Sequence, residues 1–307
     1  CACVASAHDN AGNNYFDVVG VDLNTKKGRD RVKKINQGVF PFRSSDKLLE
    51  KTLKNCHTQK NLNATTDVNI FKEADIIIVD VQLDITSLKG VPLASMEVLR
   101  EAIDTLSSKI KKGVLIIIET TVPPGTCENF IKPILEKGII KRGFNKDDFM
   151  LAHSYERVMP GPNYLMSIKN YWRVFSGMNN KSEKSCENFL EKIINHEEFP
   201  LRKMSSMRAS ETAKIVENSF RAVNIAFMDE WGRFAEGIGV DMFEIIKAVR
   251  DRPSHKNIRK PGLGVGGYCL TKDPYFAEIS KNLYYNELDL DFPIIKKAVD
   301  INNKMPF

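Results

Sequence analysis

Two short, almost wholly apolar runs constrain the fold of this chain more than any other feature. Residues 74–81 read Ala-Asp-Ile-Ile-Ile-Val-Asp-Val, and residues 113–119 read Gly-Val-Leu-Ile-Ile-Ile-Glu, with a helix-like segment at 94–111 between them. Runs this short and this rich in β-branched residues are typical of strands that are buried on both faces. A strand, a helix and a second strand predict a parallel sheet with right-handed crossovers.

Further segments extend this pattern until about Ser205, where the alternation stops. Other predicted strands cover residues 15–23, 149–153 and 171–177, and predicted helices cover 26–36, 45–56, 208–236, 241–250 and 293–304. We therefore expect an α/β domain over residues 1–204 and an all-α domain over 205–307, built on one long helix. The small, apolar segment 1–7 is predicted to be the remainder of a further helix.

The composition excludes several classes of protein. With 42% hydrophobic and 27% charged residues, and no apolar run approaching the roughly 20 residues of a membrane helix, we expect a cytoplasmic protein without a membrane segment. The 45 basic and 39 acidic residues are dispersed along the chain, so we expect no nucleic-acid partner. The cysteines form no CxxC pair, which predicts reduced thiols and no metal site.

A glycine-rich segment with one cysteine is the strongest candidate for chemistry. Residues 261–274 read Pro-Gly-Leu-Gly-Val-Gly-Gly-Tyr-Cys-Leu-Thr-Lys-Asp-Pro, and a helical pattern follows over 271–281. Glycines allow a substrate to approach the backbone closely, and Cys269 would lie beside Lys272 near a helix N-terminus. That position can lower the pKa of a thiol, as nucleophilic catalysis requires. The alternative is a glycine-rich turn that carries a buried cysteine.

Polar residues follow the predicted strands at the edge where open α/β sheets bind ligands. Asp22 ends the strand at 15–23 and is suited to bind an adenosine ribose, about 20 residues after a glycine fingerprint. Counting back runs off the chain, so we expect a preceding strand. Thr121 follows the strand at 113–119, and Glu156 and Arg157 follow that at 149–153. Helix capping or solvation would explain such residues equally well.

The long predicted helix has two faces of interest. One is an apolar stripe formed by Ala213, Val216, Phe220, Val223 and Phe227. On another face, Lys214 and Asn218 are four residues apart and could contact one ligand. Solvent exposure of this pair, and burial of the stripe within its own domain, are the alternatives.

Five stretches in this order resemble the UDP-sugar 6-dehydrogenases of the nucleotide-sugar dehydrogenase family. They are 120–126 (Thr-Thr-Val-Pro-Pro-Gly-Thr), 156–161 (Glu-Arg-Val-Met-Pro-Gly), 214–218 (Lys-Ile-Val-Glu-Asn), the glycine loop with its cysteine, and the Lys-Asp pair at 272–273. The resemblance implies a Rossmann-like NAD-binding domain, here expected without its first strand, and a central helical domain that forms a homodimer through the long helix. The family's C-terminal UDP-binding domain is expected to be absent from this chain.

The resemblance also implies oxidation of the C6 alcohol of a UDP-sugar to the acid with two NAD molecules. Cys269 would form a thiohemiacetal and then a thioester, while Lys214 and Asn218 would stabilise the oxyanion. Asp273 and Thr121 would hold the water that acts as base.

Other roles are implied by the same resemblance. Glu156 would assist hydrolysis of the thioester. Asp22, Thr121 and Lys272 would border NAD, with Lys272 also positioning the loop. The residues implied to contact the substrate are Glu156, Arg157, Lys214, Asn218, Gly266 and Gly267.

Some features depart from the family or leave alternatives open. Residues 79–84 lack the Val-Pro-Thr-Pro turn that is common in the family. The sequence around Glu156 resembles enzymes acting on UDP-N-acetylhexosamines, whereas Lys272 before Asp273 resembles enzymes acting on UDP-glucose. Two other functions stay open: a two-electron dehydrogenase of the β-hydroxyacid type, which needs no cysteine, and a non-catalytic nucleotide-binding or scaffold protein.

Overall fold

The computed structural model of the chain describes residues 1–88, 91–159, 161–265 and 267–305. Contacts group the chain into two units. The sheet unit comprises Cys1–Val81, Arg100–Thr120 and Phe130–Ser210, and the helical unit comprises Gln82–Leu99, Thr121–Asn129 and the residues from Glu211 onward. The division into 1–204 and 205–307 stays a prediction. The contacts show in addition that two segments from before residue 205 pack with the later helices.

The strands form two mainly parallel sheets and one hairpin. In chain order they are β1 (Val18–Val21), β2 (Leu62–Thr65), β3 (Ile76–Val79), β4 (Ile85–Leu88), β5 (Val91–Ala94), β6 (Leu115–Ile118), β7 (Met150–His153), β8 (Val174–Gly177) and β9 (Arg202–Lys203). Strand β1 pairs in parallel with β2, and the larger sheet has the order β3-β6-β7-β8-β9. Strands β4 and β5 form an antiparallel hairpin in the helical unit.

The helices are short in the sheet unit, and one long helix dominates the helical unit. In chain order they are α1 (Ala2–Ala5), α2 (Lys26–Ile35), α3 (Lys47–Gln59), α4 (Glu97–Ser107), α5 (Lys132–Ile140), α6 (Tyr164–Lys169), α7 (Asn180–Glu191), α8 (Met207–Gly237), α9 (Met242–Asp251), α10 (Tyr268–Lys272), α11 (Phe276–Tyr284) and α12 (Pro293–Lys304). A π-helical turn at Cys127–Ile131 precedes α5, and 3₁₀ turns cover Val68–Lys72, Pro253–His255 and Asp273–Tyr275. No helix in the described part of the chain is long and apolar enough to cross a membrane.

The predicted strand, helix and strand are confirmed at one edge of the larger sheet. Strands β3 and β6 are parallel neighbours, with Ile76 opposite Leu115 and Val79 opposite Ile118. All four residues of β6 are buried, as expected for a strand covered on both faces. One pair departs from the parallel arrangement, because β8 runs antiparallel to β7. Sequence reasoning missed β2, β9 and the β4–β5 hairpin, because these strands are two to four residues long and too short for a recognisable pattern.

Three of the helices predicted after residue 205 are confirmed to within one residue at each end, as α8, α9 and α12. The single helix predicted over 271–281 is wrong, because α10 and α11 are separated there by a 3₁₀ turn that contains Pro274. Helix α9 begins where the Asp241 side chain accepts a hydrogen bond from the Phe243 backbone N–H (2.8 Å), which caps a helix N-terminus. Helix α10 starts at Tyr268, three residues earlier than the predicted helix. Its N-cap is Gly267, which has extended backbone angles.

The apolar stripe predicted on α8 does not lie in the core. Val216, Phe220 and Phe227 are 60%, 55% and 50% exposed, and Trp231 and Phe234 continue the same exposed face. Burial within its own domain therefore does not explain the stripe. The buried residues of α8 are small, aliphatic or polar: Met207, Ser210, Glu211, Lys214, Ile215, Asn218, Ser219, Ala222, Ala226, Met228, Asp229 and Ala235.

A buried aspartate is expected to stabilise the sheet unit. The Asp46 carboxylate accepts hydrogen bonds from the backbone N–H groups of Leu48 (2.8 Å), Leu49 (3.1 Å) and Leu165 (2.7 Å). Asp46→Ala leaves these donors without their acceptor, so we expect it to lower the free energy of unfolding by about 2–4 kcal/mol in urea denaturation. Asp67→Ala removes an exposed cap and should cost less than about 1 kcal/mol. Equal losses in the two variants would contradict this expectation.

Candidate functional site

A buried carboxylate is the centre of a polar cluster in the helical unit. Asp273 is 0% exposed and directly follows α10. Its Oδ1 accepts a hydrogen bond from Lys272 Nζ (2.7 Å), and its Oδ2 accepts one from Asn218 Nδ2 (2.7 Å). A carboxylate taken out of water is stable only when a counter-charge and hydrogen-bond donors replace its hydration. The cluster therefore ties α10 to α8.

The ammonium group of Lys272 is enclosed by aromatic rings. The side chain is 7% exposed, and Nζ lies 4.7 Å from the centroid of the Tyr268 ring and 4.6 Å from that of Phe276. Cation–π contacts of a desolvated ammonium are worth on the order of 2 kcal/mol. These contacts support a role in positioning the loop, and contact of Lys272 with NAD stays a prediction.

The thiol of Cys269 lies near the start of a helix, as predicted. It is the second residue of α10 and is exposed. In the loop before it, Gly264 has φ +82°, and a Cβ atom there would lie 2.6 Å from the carbonyl oxygen of Asn302, so only glycine fits. Gly266 lies outside the described residues. A lowered pKa of the thiol stays a prediction.

Sequence reasoning missed Tyr268, although it directly precedes the cysteine. Its hydroxyl donates a hydrogen bond to Asp84 Oδ1 (2.5 Å) and lies 3.2 Å from the carbonyl oxygen of Leu83. The bond from Tyr268 lowers the pKa of Asp84, while burial and this carboxylate raise the pKa of Tyr268. The segment that lacks the Val-Pro-Thr-Pro turn is thus attached to α10.

The predicted pair on the long helix is buried. Lys214 and Asn218 are 8% and 3% exposed, so the alternative of a solvated pair does not hold. Asn218 contacts Asp273, and the spacing of four residues places Lys214 one turn away on the same face of α8. Both side chains therefore lie on the same buried face of α8, and their contact with one ligand stays a prediction.

The turn that carries Thr121 is attached to α8 and α11. Thr121 itself is partly buried. Glu211 of α8 accepts hydrogen bonds from the backbone N–H groups of Gly125 (2.5 Å) and Cys127 (2.8 Å). Ser280 of α11 donates to a proline carbonyl of the same turn (2.6 Å). This part of the chain thus packs with the helical unit even though it directly follows β6.

Glu211 was also missed by sequence reasoning. The only local signal is that it lies one turn before Lys214 on the same face of the predicted helix. Burial raises the pKa of Glu211 to about 7, although its hydrogen bonds from Cys127 and Gly125 oppose the shift. Burial, together with the adjacent Glu211, raises the pKa of the Cys127 thiol well above its usual range.

In the sheet unit, Asp22 lies at the end of β1. Its carboxylate accepts hydrogen bonds from Arg31 Nε (2.6 Å) and Nη2 (2.7 Å), and these bonds hold the pKa of Asp22 below its ordinary value. The Leu23 backbone N–H also donates to Oδ1 (2.8 Å), so Oδ2 is the oxygen with a lone pair left for the ribose of NAD at this carboxyl end of a parallel strand. This role stays a prediction.

Glu156 and Arg157 follow β7 in the same unit. The Glu156 carboxylate accepts a hydrogen bond from the Val158 backbone N–H. Arg157 Nη1 donates to the Trp172 carbonyl (2.7 Å), and Nη2 donates to the Tyr155 hydroxyl (3.1 Å). Both side chains are therefore oriented by nearby residues, and their contacts with a sugar stay predictions. Residue 160 of this stretch lies outside the described residues.

The helical unit thus brings part of the predicted site together. The residues joined by contacts or by helical spacing are Lys214, Asn218, Lys272 and Asp273, and Cys269 and Thr121 lie on segments attached to them. Asp22, Glu156 and Arg157 belong to the sheet unit. Across the described ranges, no group of three or more His, Cys, Asp or Glu residues is arranged to hold a metal ion.

Comparison with known proteins matches both parts of the chain. The NAD binding domain of the UDP-glucose/GDP-mannose dehydrogenase family matches residues 4–196, and the central domain of that family matches residues 208–304. The UDP-N-acetyl-D-mannosamine dehydrogenases of Methanocaldococcus jannaschii and Pyrococcus horikoshii are 32% and 33% identical, each over 95% of this chain. The solved structure of UDP-D-ManNAc dehydrogenase from Pyrococcus horikoshii matches with a TM-score of 0.83 at 30% identity, covering 99% of this chain and 65% of that one.

The chain spans about three fifths of the length of these curated relatives. The alignments cover 61% of the Methanocaldococcus jannaschii protein and 63% of the Pyrococcus horikoshii protein.

The ionisation of Glu211 is expected to make the stability of the fold depend on pH. Because its pKa rises from 4.5 to about 7 on folding, the folded state binds this proton more tightly than the unfolded state. The resulting stabilisation is complete below pH 4.5 and is lost as the pH rises through 7. Relative to Glu211→Gln, the free energy of unfolding of the wild type should therefore fall by up to about 3 kcal/mol over this range.

Chemical denaturation at several pH values measures this difference. The matched control is Glu236→Gln, which removes an exposed carboxylate from the same helix and should follow the wild type. Stability curves of the wild type and Glu211→Gln that stay parallel from pH 4.5 to 8 would contradict the expectation.

Proposed function

Because the chain belongs to the UDP-glucose/GDP-mannose dehydrogenase family, we propose that the protein oxidises the C6 alcohol of a UDP-sugar to a carboxylate, a four-electron reaction. The observation that carries the proposal is the cluster around Asp273, which lies next to the segment of an exposed cysteine. Burying a carboxylate, an ammonium and an amide has a desolvation cost that an apolar core would avoid, and such clusters are concentrated at functional sites. The cluster therefore favours catalysis over a scaffold function.

NAD, when bound, accepts a hydride in each of the two oxidations. Asp22 would hold its adenosine ribose, since the Arg31 side chain fixes the carboxylate at the end of β1. Thr121 would border the nicotinamide, because it lies just after β6, at the edge where such sheets bind ligands.

In the first oxidation, Asp273 and Thr121 would hold a water molecule that takes the proton of the C6 hydroxyl. Each carboxylate oxygen of Asp273 already accepts one hydrogen bond from the protein and can accept a second from water. Lys272 and Asn218 keep the carboxylate in place while it does so.

The second oxidation would proceed through Cys269. Its thiolate adds to the aldehyde carbon, and the carbonyl oxygen becomes an oxyanion that Lys214 and Asn218 stabilise. Loss of the second hydride leaves a thioester. Water, assisted by Glu156, then breaks the C–S bond, supplies the second carboxyl oxygen and returns the thiolate.

The substrate that we propose is a UDP-N-acetylhexosamine. The relatives named above are UDP-N-acetyl-D-mannosamine dehydrogenases, and the sequence around Glu156 resembles enzymes of this specificity. Lys272 is the residue that resembles UDP-glucose enzymes, but its ammonium group is enclosed by Tyr268 and Phe276. A lysine at this position therefore affects the packing of the cluster more than the choice of sugar.

A second copy of the chain is the partner that we propose for the exposed face of α8. Its aromatic residues form a continuous row, with ring centroids 6.2 Å apart for Phe227 and Trp231 and 5.8 Å apart for Trp231 and Phe234. Contiguous apolar surface of this kind marks an interaction site. A single helix face that pairs with itself gives a two-fold symmetric dimer.

The ratio of NADH formed to sugar consumed tests the proposed reaction. The full-length gene product is incubated with NAD and, in turn, UDP-N-acetylmannosamine, UDP-N-acetylglucosamine, UDP-glucose and UDP-galactose. We expect two NADH per sugar, with an N-acetylhexosamine preferred. One NADH per sugar would favour the two-electron dehydrogenase, and none with any sugar would favour a non-catalytic protein.

Replacement of the cysteine is the control for this experiment. Cys269→Ser should lower kcat by roughly 10³-fold or more, because the thioester cannot form. The matched variant Cys1→Ser removes another exposed thiol and should keep the activity. A two-electron enzyme would lose little activity in either variant.

The exposed face of α8 is tested by the oligomeric state. The double variant Phe227→Asp/Trp231→Asp should weaken dimerisation by at least about 30-fold, since buried aromatic residues dominate interface energies. Light scattering over a range of concentrations measures this change. Leu288→Asp alters an exposed leucine outside α8 and should leave the dimer intact. A monomeric wild type, or a double variant that dimerises normally, would contradict the proposal.

A further inference from the structure

The carboxylate of Glu211 has contacts that the proposed reaction does not use. It is 1% exposed and accepts hydrogen bonds from the backbone N–H groups of Gly125 and Cys127. Pro123 and Pro124, which precede them, have no N–H to donate. The Glu211 carboxylate thus accepts hydrogen bonds from two backbone N–H groups of the turn at 121–127, which we call the Thr121 turn.

The turn itself is closely packed, so its position depends on these bonds. Gly125 has φ +93°, and a Cβ atom there would lie 2.5 Å from the Tyr285 hydroxyl oxygen. Thr126 Oγ1 donates to the carbonyl of Pro123 (2.6 Å) inside the turn. The turn is thus rigid and closely packed, so we expect a displacement of Glu211 to shift it as a unit.

Glu211 also belongs to the face of α8 that carries the predicted catalytic residues. Glu211, Lys214 and Asn218 are spaced by three and four residues, so they lie on one face of the helix. Asn218 in turn contacts Asp273. The hydrogen bonds of Glu211 therefore link the turn that carries Thr121 to the helix that carries the predicted oxyanion donors.

We propose that Glu211 is a positioning residue for the oxidation: as a carboxylate it holds the Thr121 turn in register with Lys214 and Asn218, and protonation loosens that hold. The inference rests on the proposed function. A carboxylate only accepts hydrogen bonds, whereas a protonated acid has turned one oxygen into a donor and accepts poorly from two N–H groups at once.

The groups around Glu211 set the pH at which its carboxylate becomes protonated. The titratable groups that face it are Cys127 and Glu128 from the π-helical turn and Tyr284 from α11, with Lys214 one turn further along its own helix. Burial is the largest cause of its raised pKa of about 7, and the negative charge of Glu128 adds to it. The active form of the turn is thus maintained at a cost in stability, as is common at functional sites.

Steady-state kinetics and hydrogen–deuterium exchange on the full-length protein test the proposal. Glu211→Gln keeps the size of the side chain and removes its ionisation. Glu211→Asp keeps the ionisation and shortens the reach. Glu236→Gln is the matched control, an exposed carboxylate near the other end of α8.

We expect the wild-type kcat to fall below a pH of about 7. At pH 8, Glu211→Gln should lower kcat by about 10–100-fold and change KM for the sugar by less than about 3-fold, because a misplaced turn affects chemistry more than binding. The fall of kcat near pH 7 should be absent in this variant and present in Glu211→Asp. Exchange of the amides at 121–131 should accelerate at least about 10-fold in Glu211→Gln only.

Several outcomes would overturn the proposal. These are unchanged exchange in Glu211→Gln, faster exchange with an unchanged kcat, or a loss of kcat that keeps the wild-type pH profile. A wild type that reduces no NAD with any nucleotide sugar would instead refute the proposed function, and exchange would then decide whether Glu211 holds the turn.

Discussion

The pairing of the Asp273 carboxylate with Lys272 and Asn218 is the constraint on which the site depends. A carboxylate that is fully removed from water must have its charge and lone pairs matched by the protein, and here an ammonium and an amide do this at 2.7 Å each. The two partners come from α10 and α8, so these helices must meet before the carboxylate can be buried. The location of the cysteine segment is thus set by an electrostatic requirement.

Two further polar contacts attach loops of the first two thirds of the chain to the same helices. The Tyr268 hydroxyl binds Asp84 in the segment after β3, and Glu211 binds the turn after β6. Loops at strand ends carry function because they are free of the sheet's own hydrogen bonding. Their contacts explain why the helical unit contains segments from three parts of the sequence.

The long helix α8 has a buried face and an exposed face that differ in composition. Its buried face carries the polar groups of the site among small residues such as Ala222 and Ala226, which allow close packing. Its exposed face carries large aromatic residues such as Trp231 and Phe234. Large aromatic residues of α8 are thus turned to solvent, while polar groups of the site lie on its buried face. This departs from the usual pattern of a surface helix, and the polar cluster and the dimer proposed above account for the two faces.

The sequence by itself determined the elements whose signals are local. The apolar runs predicted β3, β6 and β7, and helical periodicity and caps predicted α8, α9 and α12. The glycine loop predicted a cysteine near a helix start, while the structure decided that it is exposed. Periodicity reports only on residues within a few positions of each other. It therefore identified Lys214 and Asn218 as neighbours, but it could not tell that their face is the buried one.

Only the tertiary structure decided the partners of the site residues. Asn218 and Asp273 are 55 residues apart in sequence, and Glu211 and Gly125 are 86 apart. Contacts between residues so far apart in sequence produce no periodic pattern. Within its own segment, each polar residue resembles an ordinary surface residue. The burial of Glu211, the antiparallel placement of β8 and the exposed stripe of α8 all follow from which surfaces meet on folding, and that depends on the whole chain at once.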